Sequence, residues 1–493
     1  MRNPHLLALG LCLSLGAHAC ADKNVDVSEP AAKGGPCDPM PTPEGMPTQA
    51  CAEGLVCDPV AGTTDARVCG EPVEIRGMVI DLQTSAPIEG ALVNGLDLTG
   101  APLGTVAVTD AMGHYTLEVS APRQQDGSLA GDVSYTMQAF ARDYAPFPSG
   151  IRVALPISAG DAVYDETDKV HVLESALTTI GLVMLPEDQR GGVTITGTVG
   201  GVVPGGTLVV AEGTSGDNVA PYGVADLAGA YTVFNVQPGS VKVVGYRRGL
   251  ELTPASVDAA AADLADVDLA AVAEGEDKLG KVDGTVQIVN APGGAVTSVV
   301  LVPVSVFNGA LQRGPVPFGL RAPDPGIVPN VTGTFSIPGV PAGTYKVLAA
   351  FENDILVRDP DTSIGGTNLQ EVTVAPAQAV TVEEGFKVTE ALEVVSPGAT
   401  EPTETNATPT FEFADDSSED YYIVRVFDIF GQMIWEEPMV PAVMGAKTVQ
   451  VQYAGPALTA GLYYQFRAIS MRSKGGATAI SQTEDLRGVF LVK

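Results

Sequence analysis

From residue 72 onward, apolar and polar positions alternate along the chain with a period of two, and turn residues separate the alternating segments. The segment after Gly113 is typical, because Tyr115, Leu117 and Val119 share one face while polar residues occupy the other. This period indicates half-buried β-strands and not helices. The 56 glycines and 37 prolines fit a chain that turns often. The pattern therefore predicts an all-β protein.

The same pattern predicts several domains, because 493 residues exceed the length of one all-β core, which is usually roughly 100 residues. We expect four Greek-key β-sandwich domains in tandem, at 72–188, 192–275, 280–388 and 391–493. A Cys-rich module (37–70), a flexible tether (20–36) and a signal peptide (1–19) precede them. The Ala- and Asp-rich stretch from Asp258 to Ala273 fits either a helix or an irregular edge strand, and its alternation favours the strand.

The second and third of these domains contain an internal repeat. Two sets of residues have identical spacing: Gly229, Tyr231, Val236, Gly239, Val241 and Val243 in one, and Gly333, Phe335, Val340, Gly343, Tyr345 and Val347 in the other. In each repeat a glycine is expected to close a turn before a strand with an inward-facing aromatic residue. A second turn then reverses the chain into the next strand.

The first three domains resemble the carboxypeptidase regulatory-like, or transthyretin-like, family. The matching segments are Gly77-x-Val79, Pro87-Ile88-x-Gly90-Ala91-x-Val93 and Thr109-Asp110-x-x-Gly113-x-Tyr115-x-Leu117, and the second and third domains retain fewer of these positions. The resemblance implies a seven-stranded Greek-key sandwich, related to a carbohydrate-binding-like fold. Members of this family usually serve as spacer, adhesion or binding modules.

The last domain resembles fibronectin type III and related immunoglobulin-like sandwiches. Leu458, Leu462, Tyr464 and Phe466 follow the pattern of a tyrosine-corner strand. The resemblance implies that the Tyr464 hydroxyl bonds back across the corner. Phe413 stands at the usual position of the core tryptophan.

The N-terminus has the features of an export signal. Arg2 precedes an apolar run from Leu6 to Leu15, which is too short to span a bilayer, and Ala17-His18-Ala19 resembles a cleavage site. Cys20 has two interpretations. The segment before it resembles a bacterial lipobox, which implies that Cys20 carries lipid and that the protein lies in the outer membrane or at the cell surface. Alternatively, an ordinary signal peptidase cuts after Ala19.

Counting cysteines favours the lipid-bearing interpretation. If Cys20 is acylated, the mature chain keeps an even set that can form two disulfides: Cys37, Cys51, Cys57 and Cys69. Four cysteines allow three connectivities, and the sequence alone does not choose among them. The segment resembles the short knot-like modules of secreted proteins, which suggests Cys37 with Cys57 and Cys51 with Cys69. A zinc site is the alternative, although no CxxC pair or histidine lies nearby.

The formal net charge of −32 limits the partners of the chain. Such an acidic surface repels nucleic acid and anionic headgroups, so any membrane attachment requires a covalent or hydrophobic anchor, for which the N-terminal lipid is the candidate. The negative charge can serve to keep the protein soluble, or its Asp and Glu side chains can supply oxygen ligands for calcium. Asp359 and Asp361 begin a segment like a calcium loop, but Ile364 replaces the required glycine and Gln370 the final ligand, so we expect a plain acidic turn and no metal.

Catalytic chemistry has little support in the sequence. Of the four histidines, only His114 and His171 lie outside the signal. His171 and Glu174 fit the HxxE pattern of zinc carboxypeptidases, but no histidine follows as a third ligand, and in a strand the two side chains face opposite sides. We expect no enzyme and no cofactor.

The sequence favours a lipid-anchored envelope scaffold, spacer or adhesin. The alternative is a carbohydrate- or protein-binding module, with or without calcium.

Overall fold

The computed structural model describes residues 29–41, 47–131, 133–216, 219–260, 262–289, 297–323, 333–350, 356–361, 365–416, 418–443, 445 and 447–493. Within these ranges the chain is all-β, and its only helical segments are single 3-10 turns. A small disulfide-bonded module is followed by four β-sandwich units in tandem. The predicted fold class is confirmed.

The N-terminal module consists of two hairpins. Their strands are β1 (Asp38–Pro41), β2 (Pro47–Gln49), β3 (Val56–Pro59) and β4 (Arg67–Gly70). Residues 29–36 were predicted as part of a flexible tether, but they pack on this module. Ala31 bridges to Cys51, the Gly34 N–H donates to the Cys69 carbonyl at 2.9 Å, and Lys33 pairs with Glu71 at 2.8 Å.

The first sandwich contains ten strands in two sheets. They are β5 (Val73–Asp81), β6 (Leu92–Asp97), β7 (Ala107–Val108), β8 (His114–Val119), β9 (Ser134–Phe140), β10 (Tyr144–Ala145), β11 (Ile157–Ser158), β12 (Val163–Asp165), β13 (Val170–Leu173) and β14 (Thr179–Met184). Strand β8 alternates strictly between exposed and buried residues, as its sequence predicts. One sheet is centred on β5, which pairs with β8, β13 and β14, and the other has the order β11-β9-β6-β7.

The second and third sandwiches contain the predicted repeat. The second has β15 (Val193–Thr198), β16 (Leu208–Glu212), β17 (Tyr222–Val224), β18 (Ala230–Val236), β19 (Gly239–Tyr246), β20 (Leu250–Leu252), β21 (Ala255–Ala259) and β22 (Ala271–Glu274). The third has β23 (Gly280–Val289), β24 (Val299–Pro303), β25 (Arg321–Ala322), β26 (Gly333–Val340), β27 (Gly343–Ala349), β28 (Leu356–Arg358), β29 (Gln370–Val374), β30 (Ala379–Thr381) and β31 (Phe386–Glu390). The repeated residues lie on β18–β19 and β26–β27, except that Gly229 is in the turn before β18, and Tyr231 and Phe335 are buried at equivalent positions.

The Ala- and Asp-rich stretch is an irregular edge, as expected. Between β21 and β22, Leu264 bridges to Ile195 and Leu269 bridges to Val199, both in parallel, so the described part of the stretch completes the sheet that contains β15 and β18.

The fourth sandwich has nine strands. They are β32 (Val394–Ser396), β33 (Thr403–Thr405), β34 (Thr410–Ala414), β35 (Tyr421–Phe427), β36 (Met433–Pro441), β37 (Thr448–Gln452), β38 (Tyr463–Arg472), β39 (Thr478–Gln482) and β40 (Val489–Val492). Phe411, Phe413 and Phe466 form its fully buried aromatic centre. The Thr459 N–H donates to the Tyr464 hydroxyl at 2.9 Å, which is the corner bond implied by the fibronectin resemblance.

The second and third sandwiches pack against each other through buried residues. Strand β16 is buried on both faces, because Val209 and Ala211 point into the core of the second sandwich while Leu208 and Val210 join the core of the third. The rings of Tyr246 and Tyr345 meet edge to face across the same junction, with centroids 5.8 Å apart. A continuous apolar core therefore joins the second and third sandwiches.

Candidate functional site

A cavity of about 1010 Å³ lies where all four sandwiches meet. Its walls include aromatic side chains from each sandwich, among them Phe147 from the first, Tyr222 from the second, Phe307 from the third and Phe430 from the fourth. This volume is at the upper end of the range for small-molecule pockets, which is roughly 300–1,000 Å³. The cavity is the candidate site because it combines apolar walls with a few buried polar groups.

The first sandwich contributes a segment between β10 and β11 to this cavity. Ile151 packs in a small apolar cluster with Leu311 of the third sandwich and Phe427 of the fourth. Gly150 has a φ of +58°, and a Cβ there would lie 2.2 Å from the Ile429 carbonyl oxygen. Only glycine fits this approach without strain, so the segment is specialised for contact with the fourth sandwich.

Arg313 of the third sandwich also contacts the junction between the first and fourth sandwiches. Its Nε donates to the Gly150 carbonyl at 2.9 Å, its Nη2 donates to the same oxygen, and its Nη1 donates to the Asp485 carbonyl at 3.3 Å. The side chain is 6% exposed, and burial lowers the pKa of its guanidinium to about 10. One buried arginine thus links the first, third and fourth sandwiches through backbone carbonyls.

Arg152 is the second buried guanidinium at the cavity and is 8% exposed. Its Nη1 donates to the Gly181 carbonyl, and its guanidinium carbon lies 5.1 Å from the centroid of the Phe147 ring. Burial lowers the pKa of Arg152 to about 10, so the group stays charged at neutral pH. Its Nε and Nη2 have no hydrogen-bond partner among the described residues.

The other polar groups at the cavity are not all hydrogen-bonded, because the Thr214 and Ser215 hydroxyls are also buried without a partner among the described residues. Burial raises the pKa of the Asp428 carboxyl, although Oδ1 accepts from the N–H groups of Phe430 and Gln432 at 3.0 and 2.8 Å. Burial also raises the pKa of the Tyr222 hydroxyl, which keeps it neutral. The Oε1 of Gln138 is buried without a partner in the described part of the chain. Two buried guanidinium groups, Arg152 and Arg313, therefore lie at the cavity, and neither forms an ion pair with a carboxylate among the described residues.

The four cysteines of the N-terminal module form two disulfides in the interleaved arrangement. Cys37 bonds to Cys57, and Cys51 bonds to Cys69, with Cα separations of 5.9 and 5.6 Å. Cys37, Cys51 and Cys57 are also the only three potential metal ligands that cluster among the described residues, and all their sulfur atoms are used in these bonds. Cys20 lies outside the described residues.

The calcium candidates have a protein partner. Asp359 is buried, and its Oδ2 lies 3.3 Å from the Lys387 ammonium, which competes with any cation at this carboxylate. The Asp361 N–H donates to Oδ1 of Asp359 at 2.9 Å, as in an acidic turn. Residues 362–364 of the loop lie outside the described residues, so calcium binding there stays untested.

The two histidines do not form a catalytic set. The His114 side chain is 57% exposed and lies 3.9 Å from Asp110. The His171 ring is tilted against the Tyr164 ring, with centroids 5.1 Å apart, and lies 3.8 Å from Glu71, while Glu174 follows the end of β13 and is exposed. The HxxE pattern therefore does not create a metal pair. No helix within the described ranges is long and apolar enough to cross a membrane.

The sequence prediction missed the cavity and its arginines. The uninterrupted apolar runs at β16 and β24 could have indicated that these strands are buried on both faces. In a strand with one face in solvent, apolar and polar residues would alternate. Arg152 and Arg313 lie in irregular segments whose sequence gives no sign of burial.

Comparison with known proteins gives structural similarity only. No family model matches the chain, and no curated protein matches it. The minor pilin GBS52 of Streptococcus agalactiae is 11% identical over 42% of this chain and 99% of its own, with a TM-score of 0.18. Two B repeats of the Staphylococcus aureus collagen-binding protein are 12% identical over 84% and 100%, with a TM-score of 0.17. A DUF3823 family protein of Parabacteroides merdae is 16% identical over 44% and 99%, with a TM-score of 0.18. Scores this low carry no information about function.

Proposed function

We propose that this protein is a non-catalytic scaffold or adhesin of the bacterial cell envelope, held at the membrane by lipid on Cys20. The observation that supports a scaffold is the way in which the sandwiches are fastened together. Arg313 joins three of them, and a continuous apolar core joins the second to the third. Buried junctions of this kind keep a multidomain chain in one shape, which suits a load-bearing or display role.

The anchoring part of the proposal rests on the N-terminal sequence. After export, an acylated Cys20 leaves exactly the cysteines that the two disulfides use. Lipoprotein acyl chains supply stable attachment, which an acidic surface cannot achieve by charge. Placement in the outer membrane or at the cell surface, with an envelope glycan or protein as partner, belongs to the same proposal.

The test is metabolic labelling with a radioactive fatty acid in a bacterial host, followed by membrane fractionation. Wild-type protein should carry label and sediment with membranes, and Cys20→Ser should lose both. Cys12→Ser is the matched control, because Cys12 lies within the signal and its loss should change neither result. Label and sedimentation that persist in Cys20→Ser contradict lipid anchoring. Protease treatment of intact cells then tests surface exposure.

A further inference from the structure

The second sandwich has exposed apolar side chains in two of its turns. Val202 and Val203 lie in the turn between β15 and β16, and their side chains are 84% and 59% exposed. Leu227 lies in the turn between β17 and β18 and is 52% exposed. Single exposed apolar side chains are common on protein surfaces, so these three carry meaning only if they lie together.

Contacts between the two turns bring the three residues together. Pro204 follows Val203 and packs on the second turn, because a Cβ added at Gly229 would lie 2.9 Å from Pro204 Cγ. A Cβ added at Gly205 would lie 3.1 Å from Leu227 Cα. The two valines and the leucine therefore form one exposed apolar surface, which we call the apolar tip.

The apolar tip is connected by short contacts to the N-terminal module. A Cβ added at Gly205 would lie 3.2 Å from Pro102 Cγ of the first sandwich. The next residue, Leu103, accepts through its carbonyl from the Ser120 N–H at 3.1 Å. The Ser120 hydroxyl in turn donates to Oδ1 of Asp58 in the module at 2.9 Å. The tip therefore lies in the part of the molecule where the chain from Cys20 enters the folded body.

A lipid bilayer is the partner that this position favours. If lipid on Cys20 anchors the protein, only nine positions separate the anchor from Glu29, so the module and the tip stay near lipid. Apolar side chains that enter the bilayer interface lose their contact with water, which favours insertion.

The charges on the protein indicate which kind of bilayer surface fits. Glu274 borders the tip, since its Oε2 accepts from the Val202 N–H at 3.1 Å. Together with the net charge of −32, this carboxylate disfavours anionic headgroups. A zwitterionic surface is therefore the matching one.

We propose that the apolar tip, formed by Val202, Val203 and Leu227, inserts into the interface of the bilayer that holds Cys20 and so orients the sandwiches on the membrane. This inference rests on the proposed lipid anchor. Burial of three side chains binds weakly by itself, and the anchor makes it effective by keeping the tip at a high local concentration near lipid.

Fluorescence quenching on vesicles tests the proposal. The mature protein is coupled through the Cys20 thiol to phosphatidylcholine vesicles that contain a maleimide-bearing phosphatidylethanolamine, since the other four cysteines are in disulfides. Val203→Trp places a fluorophore in the tip, and wild-type protein supplies the background emission of Trp435, the only native tryptophan. Met439→Trp is the matched control, because Met439 is an exposed apolar residue on β36 of the fourth sandwich. Brominated phosphatidylcholine should quench the added emission of Val203→Trp and leave that of Met439→Trp unchanged.

Val202→Asp with Leu227→Asp, added to Val203→Trp, should reduce the quenching to the level of Met439→Trp, because charged side chains oppose insertion. These positions are exposed, so circular dichroism and Tm should stay those of the wild type. Equal quenching of Val203→Trp and Met439→Trp overturns the proposal, and so does quenching that persists with both aspartates.

A second copy of the chain is the rival occupant of the tip, and sedimentation equilibrium tests it. A wild-type dimer that Val202→Asp with Leu227→Asp dissociates would assign the tip to self-association and overturn the proposal. The chemical coupling replaces the natural lipid, so none of these results depends on whether cells acylate Cys20. Fatty-acid labelling tests that step separately, and the failure of one proposal is thus distinguished from the failure of the other.

Discussion

The buried ion pair between Asp58 and Arg123 should control whether the disulfide module stays attached to the first sandwich. Asp58 lies on β3 of the module, Arg123 follows β8 of the sandwich, and both side chains are almost fully buried, at 3% and 0% exposure. Oδ1 of Asp58 also accepts from the Ser120 hydroxyl at 2.9 Å and the Ala121 N–H at 3.3 Å. Asp58→Asn removes the negative charge while conserving volume.

The expected cost of Asp58→Asn is about 3–5 kcal/mol, since removing one partner leaves the other charge buried and uncompensated. If the module and the first sandwich unfold together, Tm falls by roughly 3 °C per kcal/mol for a unit of this size, which gives about 9–15 °C. Differential scanning calorimetry of the mature protein measures this shift. The exposed pair Arg425–Glu436, at 2.7 Å, is the control, and Arg425→Met should cost at most about 1 kcal/mol.

A double variant separates the ion pair from general packing. Asp58→Leu with Arg123→Met removes both charges, and replacing a buried pair by apolar residues is often neutral, so the double variant should recover most of the stability lost in Asp58→Asn. A cost for Asp58→Asn as small as that of Arg425→Met would refute the reasoning. A double variant no more stable than Asp58→Asn would refute it as well.

Three further predictions concern the module and the junction. Cys51→Ser with Cys69→Ser should lower the free energy of unfolding of the module by about 3 kcal/mol in urea titrations, because the 18-residue separation restricts the unfolded chain; an unchanged midpoint would contradict this. Gly150→Ala should destabilise the protein by about 1–3 kcal/mol, because its Cβ would meet the Ile429 carbonyl at a positive φ, whereas Gly309→Ala at the same cavity meets no atom and should cost little. Burial, then Arg123, lower the pKa of His171, so the folded state resists protonation there and loses stability as pH falls below about 6.5. His171→Gln should weaken this loss in a series of thermal melts across that pH range, and an unchanged pH profile would count against it.

Local patterns in the sequence predicted the strands well, because their determinants are local. Alternation placed Tyr115 and Leu117 inward, and the repeat placed Tyr231 and Phe335 at equivalent buried positions. The tyrosine corner at Tyr464 followed from the same kind of short-range spacing. Each of these features depends on residues near one another along the chain.

The junctions could not be predicted in this way. Arg313 contacts Gly150 and Asp485, which are far from it in the sequence, and no spacing rule joins such positions. The predicted string of separate sandwiches overlooked that β16 is apolar on both faces. Ala31 to Pro36 also look like linker by composition, yet backbone hydrogen bonds hold this segment on the module. These contacts between distant segments depend on the tertiary structure. A segment that is polar and rich in glycine and proline gives no sign of them in its sequence.

If lipid on Cys20 anchors the protein as we propose, the docking of residues 29–36 on the disulfide module limits its distance from the membrane. If Cys20 carries the lipid, only the chain from Cys20 to Glu29 separates the bilayer from the packed body. From Cys20 to Glu29 the chain makes nine residue-to-residue steps, so at a maximum of roughly 3.6 Å per residue it can span at most about 32 Å. The folded part of the protein would then lie close to the bilayer. Partners farther away would be reached through the length of the sandwiches and not through a long flexible linker.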